Sequence, residues 1–250
     1  MTTTAESRLE VRRGADRTFQ RIEGVLSRFS FPMAGNFDLT ANAHGALMVH
    51  NDDIVDPNAG FEPHRHSETE IVTWIVSGQL THEDSLGNSG MLSAGELQRM
   101  SAGTGIRHSE RNADSANRLR VVQMWLPPDV SGVAPGYAQA DFREALAGGE
   151  LVTALTGRPD ESAAVDIHNR WVALDIARPL PGVPVQVAAA PFHHLYVTRG
   201  ELELRSGTDN DPVRLVEGDA VRGTEAGPLD VRRSGDDPAE FLVWRMHAHF

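Results

Sequence analysis

Two pairs of potential metal ligands lie in the first half of the chain. His64 and His66 are two residues apart in the stretch PHRHSETE, and His108 and Glu110 repeat that spacing in IRHSERN. Residues i and i+2 of a β-strand point to the same face, so each pair presents two ligands together. Two such strands facing one interior would supply three nitrogens and one carboxylate oxygen. That set suits iron, nickel, copper, manganese or cobalt, and it leaves positions open for a substrate or dioxygen.

The strands that must position these residues are visible in the sequence. β-Branched and aromatic residues dominate the stretches IVTWIVSGQLTHED, LRVVQMWLPP, RWVALDIARP, HHLYVTRGELELRSG and EFLVWRMHAHF. Turn signals such as SLGNSG, SAGTG and VEGD separate them. Many short strands punctuated in this way predict an all-β sandwich or barrel. One helix is predicted, over residues 137–155 (YAQADFREALAGGELVTAL), after the linker PPDVSGVAPG.

The two halves of the chain follow the same plan. TWIVSGQLTHEDSLGNSGMLSAGE (73–96) and LYVTRGELELRSGTDNDPVRLVEGD (195–219) each contain an apolar strand, a glycine turn, an alternating strand, a polar turn and a short strand. This internal repeat predicts two β domains. We expect an N-terminal domain at residues 1–130, a linker with the helix at 131–158 and a C-terminal domain at 159–250.

Composition argues against several classes of function. The formal net charge is −12 over 250 residues, so the surface repels phosphate backbones and direct nucleic-acid binding is not expected. No apolar run has the length of a membrane span, and the first residues lack the apolar core of a secretion signal. The chain has no cysteine, which excludes disulfides and thiolate metal sites. We therefore expect a cytoplasmic protein without membrane contact.

Longer stretches around the ligand pairs carry a family resemblance. They are GFEPHRHSETEIVTWIVSGQLTHEDSLGNSG and MSAGTGIRHSERN, preceded by SRFSFPMAGNF (27–37) and GALMVHNDDIVDPNAGFEPH, with HEDSLGN and MSAGTGIRHSE the most specific parts. In these stretches the chain resembles the pirin family, a branch of the cupin superfamily. The similarity covers residues 10–128, and over 160–250 it is one of topology alone. It implies a bicupin fold of two jelly-roll β-barrels (double-stranded β-helices) with one divalent metal in the N-terminal barrel.

The resemblance assigns that metal to His64, His66, His108 and Glu110. Iron is the first choice, and nickel, manganese, copper and cobalt are the alternatives. The general cupin pattern His-x-His-x-x-x-Glu would instead nominate Glu70 as the carboxylate ligand. Glu70 lies about 13 Å from His66 in an extended strand, too far to share an ion unless the chain bends. We take Glu110 as the ligand and Glu70 as a residue that supports the site or as the alternative ligand.

The family resemblance also suggests an activity. Some pirins are quercetinases, metal-dependent dioxygenases that open the central ring of a flavonol and release carbon monoxide. The resemblance therefore implies a dioxygenase acting on a flavonol-like aromatic molecule, with Glu110 also serving as the base. The alternative is a metal-binding regulator or redox sensor that acts through protein partners. A cupin-type isomerase and a protein with a vestigial metal site are further alternatives.

The remaining histidines and tryptophans are predicted to be structural. His193 and His194 are adjacent, so they point to opposite faces of a strand, and His247-x-His249 has no partner pair. We therefore expect a structural C-terminal barrel. Trp74 and Trp125 are expected in the core, and His82 and Glu83, which flank a turn, are expected to be solvated or hydrogen-bonded there. The first strand, SRLEVRRG (7–14), is expected to cross over to the C-terminal barrel, as the family resemblance implies.

Overall fold

β-Strands make up nearly all the regular structure of the described chain. The computed structural model describes residues 8–31, 43–207 and 211–249. Residues 32–37 of the stretch SRFSFPMAGNF lie outside this part. The strands form four sheets, and each half of the chain supplies most of a larger sheet and a smaller sheet.

The first barrel consists of a seven-stranded and a four-stranded antiparallel sheet. In spatial order, the larger sheet contains β12 (Gly136–Asp141), β9 (Glu96–Ser101), β6 (Glu70–Ser77), β11 (Leu119–Leu126), β4 (Val49–Val55), β3 (Val25–Phe29) and β2 (Thr18–Ile22). The smaller sheet contains β5 (Gly60–His66), β10 (Ile106–Asn112), β7 (Gln79–Asp84) and β8 (Ser89–Ser93).

The second barrel, like the first, consists of a seven-stranded and a four-stranded sheet. Its larger sheet contains β1 (Arg8–Arg12), β20 (Ala220–Ala226), β17 (Ala190–Arg199), β22 (Glu240–Met246), β15 (Val172–Ala177), β13 (Val152–Thr156) and β14 (Val165–Asp166). Its smaller sheet contains β16 (Val185–Val187), β21 (Leu229–Arg233), β18 (Glu201–Ser206) and β19 (Val213–Val216). The predicted all-β architecture of two barrels is confirmed.

The internal repeat predicted from residues 73–96 and 195–219 is also present in the structure. The order β9-β6-β11-β4 in one larger sheet corresponds to β20-β17-β22-β15 in the other. The same tight turn follows β6 and β17, and in each case a glycine makes it. Gly78 and Gly200 have φ angles of 85° and 69°, a region that glycine adopts without steric cost.

The two barrels exchange their edge strands. β1 pairs with β20 at the edge of the second barrel, as the predicted crossover requires. β12, which follows the first half of the chain, pairs with β9 at the corresponding edge of the first barrel. The segment 131–158 therefore adds β12 to the first barrel and β13 to the second, and the proposed units 1–130 and 159–250 are interlocked.

The helix predicted over residues 137–155 is wrong. The stretch forms β12, a short 3-10 helix at Ala145–Gly148, and β13. Ala138 and Ala140 pack against the apolar layer between the barrels, whereas the Tyr137 hydroxyl oxygen lies 3.2 Å from Gln98 Oε1. The side chains thus alternate as in a strand, because pairing with β9 outweighs the helix propensity of the alanines. No helix among the described residues is long and apolar enough to cross a membrane.

The two larger sheets pack face to face, and the apolar layer between them is the largest core cluster. Val72 and Trp74 of β6 point into this layer, while Ile71 and Thr73 point into the first barrel. Apolar side chains fill the interior of the second barrel. The interior of the first barrel has two apolar clusters, and polar side chains lie between them. The candidate site occupies this polar middle part.

Candidate metal centre

Three histidines converge inside the first barrel, between its two apolar clusters. β5 and β10 are neighbouring antiparallel strands, and His64 pairs with His108 across them. The Nε2 atoms of these two residues are 3.1 Å apart. The ring centroid of His66 lies 4.8 Å from that of His64 and 5.1 Å from that of His108. One ligand nitrogen from each ring lies within 4.8 Å of the other two, so the three rings can share one ion.

The protonation of these rings fits a metal site. His64 Nδ1 lies 2.7 Å from the carbonyl oxygen of Glu62, which can only accept, so Nδ1 carries the proton and Nε2 presents its lone pair. His66 Nε2 is buried and has no hydrogen-bond partner among the described residues. Burial, reinforced by the neighbouring rings, lowers the pKa of His66 to about 4 and that of His108 to about 3. Both imidazoles are neutral near pH 7, the form that binds a metal.

Glu110 lies next to His108 and is held by two amides. It follows His108 by two residues on β10 and lines the same cavity as the other two histidines. Its carboxylate accepts hydrogen bonds from the side-chain amide of Gln98 and, at 2.7 Å, from that of Gln123. Burial raises its pKa to about 7. Neither amide carries a charge that would offset that of the carboxylate. A cation held by the histidines would supply this charge and stabilise the ionised form.

Glu70 contributes to a different part of the structure. Its carboxylate accepts hydrogen bonds from Ser101 Oγ at 2.8 Å and from the backbone N–H of His168 at 3.3 Å. β6 is extended from its first residue, so Glu70 projects from the same face as Val72. That face lies on the layer between the barrels. The interpretation of Glu70 as an alternative ligand or as support for the metal site is therefore wrong.

His82 is a member of the site that the sequence analysis missed. Of the two predicted environments of His82, the solvated one is wrong, because the side chain is fully buried on β7. Its ring centroid lies 5.4 Å from that of His108 and 4.8 Å from that of Tyr137, and its Nε2 is 3.4 Å from Asp84 Oδ2. His82, His108 and Glu110 form a second group whose ligand atoms lie within 4.8 Å of one another. The His82-x-Asp84 spacing, identical to that of the recognised pairs, was the available signal.

A cavity of about 350 Å³ opens beside the histidines. Its apolar wall consists of Ile22, Val25, Phe29, Phe61 and Trp125. A volume of this size admits a ligand with fused or linked aromatic rings. Trp125 was expected in the core, but it is half-buried in this wall, with its ring 5.0 Å from that of His66. Trp74 is fully buried as expected, and its Nε1 donates to Glu240 at 2.8 Å.

Asp53 is a second buried carboxyl group on the cavity wall, and the sequence analysis did not single it out. Burial raises its pKa to about 7, and its Oδ1 has no hydrogen-bond partner among the described residues. An acidic residue inside the strand VHNDDIV (β4) was the signal for it. Asp53 points into the first barrel, whereas its neighbour Asp52 points the other way and binds Arg120 and Tyr196.

Strand pairing identifies the residues of the second barrel that occupy the positions of this site. They are Val187, Leu204, Leu229 and Val231, in the positions of His64, His82, His108 and Glu110. Within residues 8–31, 43–207 and 211–249, both groups of potential metal ligands lie in the first barrel. Apolar side chains at these four positions complete the core of the second barrel instead.

Comparison with known proteins identifies the family of the chain. The family model described as Pirin matches residues 12–126. Over 240 residues the chain is 42% identical to a Mycobacterium tuberculosis protein named "Putative quercetin 2,3-dioxygenase", and the match covers 96% of each chain. The chain belongs to the pirin family. This pirin is also 39% identical over 150 residues to a protein of Escherichia coli named "Quercetin 2,3-dioxygenase", which covers 58% of this chain and 63% of that one.

The solved structures most informative for this pirin come from Escherichia coli. The bacterial pirin YhhW, in complex with nickel(II), is 28% identical, with a TM-score of 0.82, and the match covers 96% of this chain and 100% of that one. A second structure of YhhW gives a TM-score of 0.84 at 27% identity, over 97% of this chain and 100% of that one. The two-barrel fold is therefore shared over nearly the whole length.

Proposed function

We propose that this pirin is a mononuclear metal-dependent dioxygenase of the quercetin 2,3-dioxygenase type, acting on flavonol-like substrates. The observation that carries the proposal is the convergence of three imidazoles beside an aromatic-walled cavity. A purely structural metal site would be closed by protein ligands, whereas this group borders space for a second molecule. The names of the relatives from Mycobacterium tuberculosis and Escherichia coli support the same activity.

His64, His66 and His108 would hold the metal, with Glu110 as the fourth ligand. We propose iron first, with nickel, manganese, copper and cobalt as alternatives; the nickel in the related pirin supports a divalent transition ion. The bound ion would supply Lewis acidity and a binding position for dioxygen next to the substrate. Glu70, which lies on the other face of β6, has no part in this assignment.

The residues of this chain would orient the substrate and receive its proton. The ring of Trp125 and the side chain of Phe29 would bind the aromatic rings of a flavonol, and the surrounding wall would exclude water. Glu110 would accept the proton of the substrate hydroxyl at one of its carboxylate oxygens. Gln98 and Gln123 would keep that carboxylate in place.

The proposal is tested with purified protein loaded separately with Fe(II), Ni(II), Mn(II), Cu(II) or Co(II). Quercetin consumption is followed by visible absorbance, in air and without oxygen, together with release of carbon monoxide. We expect oxygen-dependent turnover with at least one metal and its loss in His64→Ala. His247→Ala, which removes a histidine of the second barrel, is the matched control and should retain activity. Absence of turnover with all five metals would reject the proposed activity.

The alternative predicted from the family resemblance, a metal-binding regulator acting through protein partners, differs in one measurable respect. Such a protein would bind one equivalent of metal through the same histidines and leave quercetin unchanged. Metal content and quercetin turnover therefore distinguish the two functions.

A further inference from the structure

A second cavity lies between the two barrels, away from the histidine cluster. It has a volume of about 330 Å³ and is bordered by β1, β3, β17, β20 and the segment that joins β1 to β2. Phe29 lines both this cavity and the one beside the histidines. Nothing in the proposed dioxygenase function uses this space.

The residues that line the second cavity carry more positive than negative charge. Four arginines (Arg12, Arg13, Arg17, Arg222) and two acids (Glu10, Asp16) border it. Arg12 pairs with Glu10 at 2.7 Å and Arg13 pairs with Asp219 at 2.7 Å, while Asp16 is exposed at the rim. Arg17 and Arg222 have no carboxylate partner among the described residues, although both are half-buried. Glu10 acts on Arg222 only at a distance, and Arg17 reaches Asp52 only through the hydroxyl of Tyr196, to which it donates at 2.8 Å. Two guanidinium groups without a direct ion pair in one partly enclosed space form a favourable environment for an anion.

The same wall carries buried donors that remain unused. His194 is 1% exposed and lines the cavity, and neither of its ring nitrogens has a hydrogen-bond partner within the described chain. The Nε atoms of Arg17 and Arg222 are likewise buried without partners there. Buried polar groups of folded proteins almost always have partners, so three in one wall indicate that a ligand or ordered water completes them.

A backbone carbonyl and an aromatic ring hold the side chain of Arg222 in place, without an ion pair among the described residues. Its Nη2 donates to the backbone carbonyl of Ser30 at 2.7 Å, and its guanidinium carbon lies 4.3 Å above the ring of Phe31. Burial, reinforced by the positive charge of Arg12, lowers its pKa to about 10. The group remains charged at neutral pH, and it would be stabilised by an oxyanion that accepts from it.

We propose that this inter-barrel cavity binds a small oxyanion, a phosphate or carboxylate group, through Arg17, Arg222 and His194. The neutral His194 ring donates one N–H to the anion, and the two guanidinium groups supply charge and further donors. The site is independent of the metal centre, so its test does not depend on the dioxygenase proposal.

The test is titration calorimetry of the metal-loaded protein with inorganic phosphate and, separately, with citrate, at constant ionic strength set by chloride. We expect saturable binding of one anion per chain. Arg222→Gln should weaken it at least about 10-fold, because a charge-assisted hydrogen bond is lost. Arg205→Gln, which removes the same charge from an exposed position on β18, should change it less than about twofold. Which anion binds more tightly distinguishes a phosphate ligand from a carboxylate ligand.

Two further measurements keep the proposal falsifiable. His64→Ala should bind the anion as the wild type does, so loss of binding in that variant would place the anion on the metal and reject the site. If Arg222→Gln does not fold, phenylglyoxal modification of the wild type replaces it: phosphate should protect Arg222, and not Arg205, as measured by peptide mass spectrometry. No saturable binding, an unchanged affinity in Arg222→Gln, or equal protection of both arginines would overturn the proposal.

Discussion

Glu110 occupies a position in which a charged carboxylate is costly without a cation. It is 2% exposed, and its hydrogen-bond partners Gln98 and Gln123 are neutral. Burial therefore dominates and holds its pKa at about 7. A divalent ion held by His108 and its neighbours would reverse this balance in favour of the charged form.

Substitution of the two candidate carboxylates separates their roles. Glu110→Gln keeps the shape but removes the charge that offsets a divalent cation, so metal affinity should fall by about 100-fold or more. Glu70→Gln should leave metal affinity within about threefold and lower the melting temperature instead, because Glu70 binds Ser101 and His168 between the barrels. Competition with a chromophoric chelator measures the affinities. Equal affinities in wild type and Glu110→Gln would remove Glu110 from the ligand set.

The raised pKa of Glu110 also predicts a pH dependence of stability in the metal-free protein. Because the folded-state pKa of about 7 exceeds the ordinary value of 4.5, the folded state holds a proton that the unfolded state has released between these pH values. The contribution of Glu110 to the free energy of unfolding is therefore largest below pH 4.5, and it is lost as the pH rises to 7. The unfolding free energy of wild type minus that of Glu110→Gln should fall by about 1.4 kcal/mol per pH unit between pH 5 and 7, then level off.

Chemical denaturation of metal-free protein at several pH values measures this difference. Glu83→Gln, an exposed position on the neighbouring strand, is the matched control and should give a nearly flat difference. The comparison with a variant is needed because the buried histidines contribute the opposite slope. A flat difference for Glu110→Gln would show that the carboxyl is not buried as described.

The cluster of candidate ligand histidines could be predicted from the sequence because strand alternation alone brings i and i+2 residues to one face. His64, His66 and His108 needed no knowledge of distant contacts beyond the pairing of two strands. The orientation of Glu70 could not be predicted in this way, since it depends on where β6 begins and on which face meets the other barrel. His82 shows the reverse case: the spacing was present, but its position near a turn suggested exposure.

At the scale of the element, the β2–β3 hairpin forms one side of the cavity. Gln20 and Ile22 of β2, with Val25 and Phe29 of β3, line it. Ile22 is 55% exposed, and Phe19 on the same strand is 71% exposed without lining the cavity. Two exposed apolar residues on one strand therefore differ in whether they face the site, and this difference provides a test of substrate binding.

Ile22→Ser should raise KM for a flavonol about 10-fold with kcat nearly unchanged, because it removes apolar contact area that ground state and transition state share. Phe19→Ser on the same strand is the control and should leave KM within about twofold. Steady-state kinetics of quercetin consumption measure both. An equal effect of the two substitutions would argue that the hairpin acts through stability and not through contact with the substrate.

β12 shows why the helix prediction failed while the strand predictions succeeded. Its alanines and Gln139 favour a helix in isolation, and no local signal marks a strand partner. The partner is β9, which ends at Ser101, 35 residues before β12 begins at Gly136. Edge strands are stabilised by such distant pairing, so their sequences need fewer of the β-branched and aromatic residues that identified β6 and β17.

At the scale of the molecule, the barrels depend on each other through the layer between the larger sheets. Val72, Trp74 and Met124 from the first barrel pack there against Leu174 and Trp244 from the second. The Trp244 Nε1 also approaches Met124 Sδ at 3.0 Å. A barrel alone would expose this face to water.

A chain ending at Asp129 should therefore aggregate or lose cooperative unfolding although it retains every proposed ligand. It lacks β12, the partner of β9, and it lacks β20, the partner of β1. Size-exclusion chromatography and thermal unfolding measure the outcome. A monomeric truncated chain that binds metal as the full chain does and melts cooperatively would show that the first barrel is an independent module.

The pairing of β1 with β20 has a consequence for biosynthesis. Arg8 is synthesised 216 residues before its partner Thr224. Vectorial synthesis therefore leaves β1 unpaired until β20 of the second barrel has been made. β12, in contrast, is made soon after its partner β9 and can join it during elongation. All strands of the histidine-bearing barrel are thus available on the nascent chain before those of the second barrel, whose edge is closed by a strand made long before its partner.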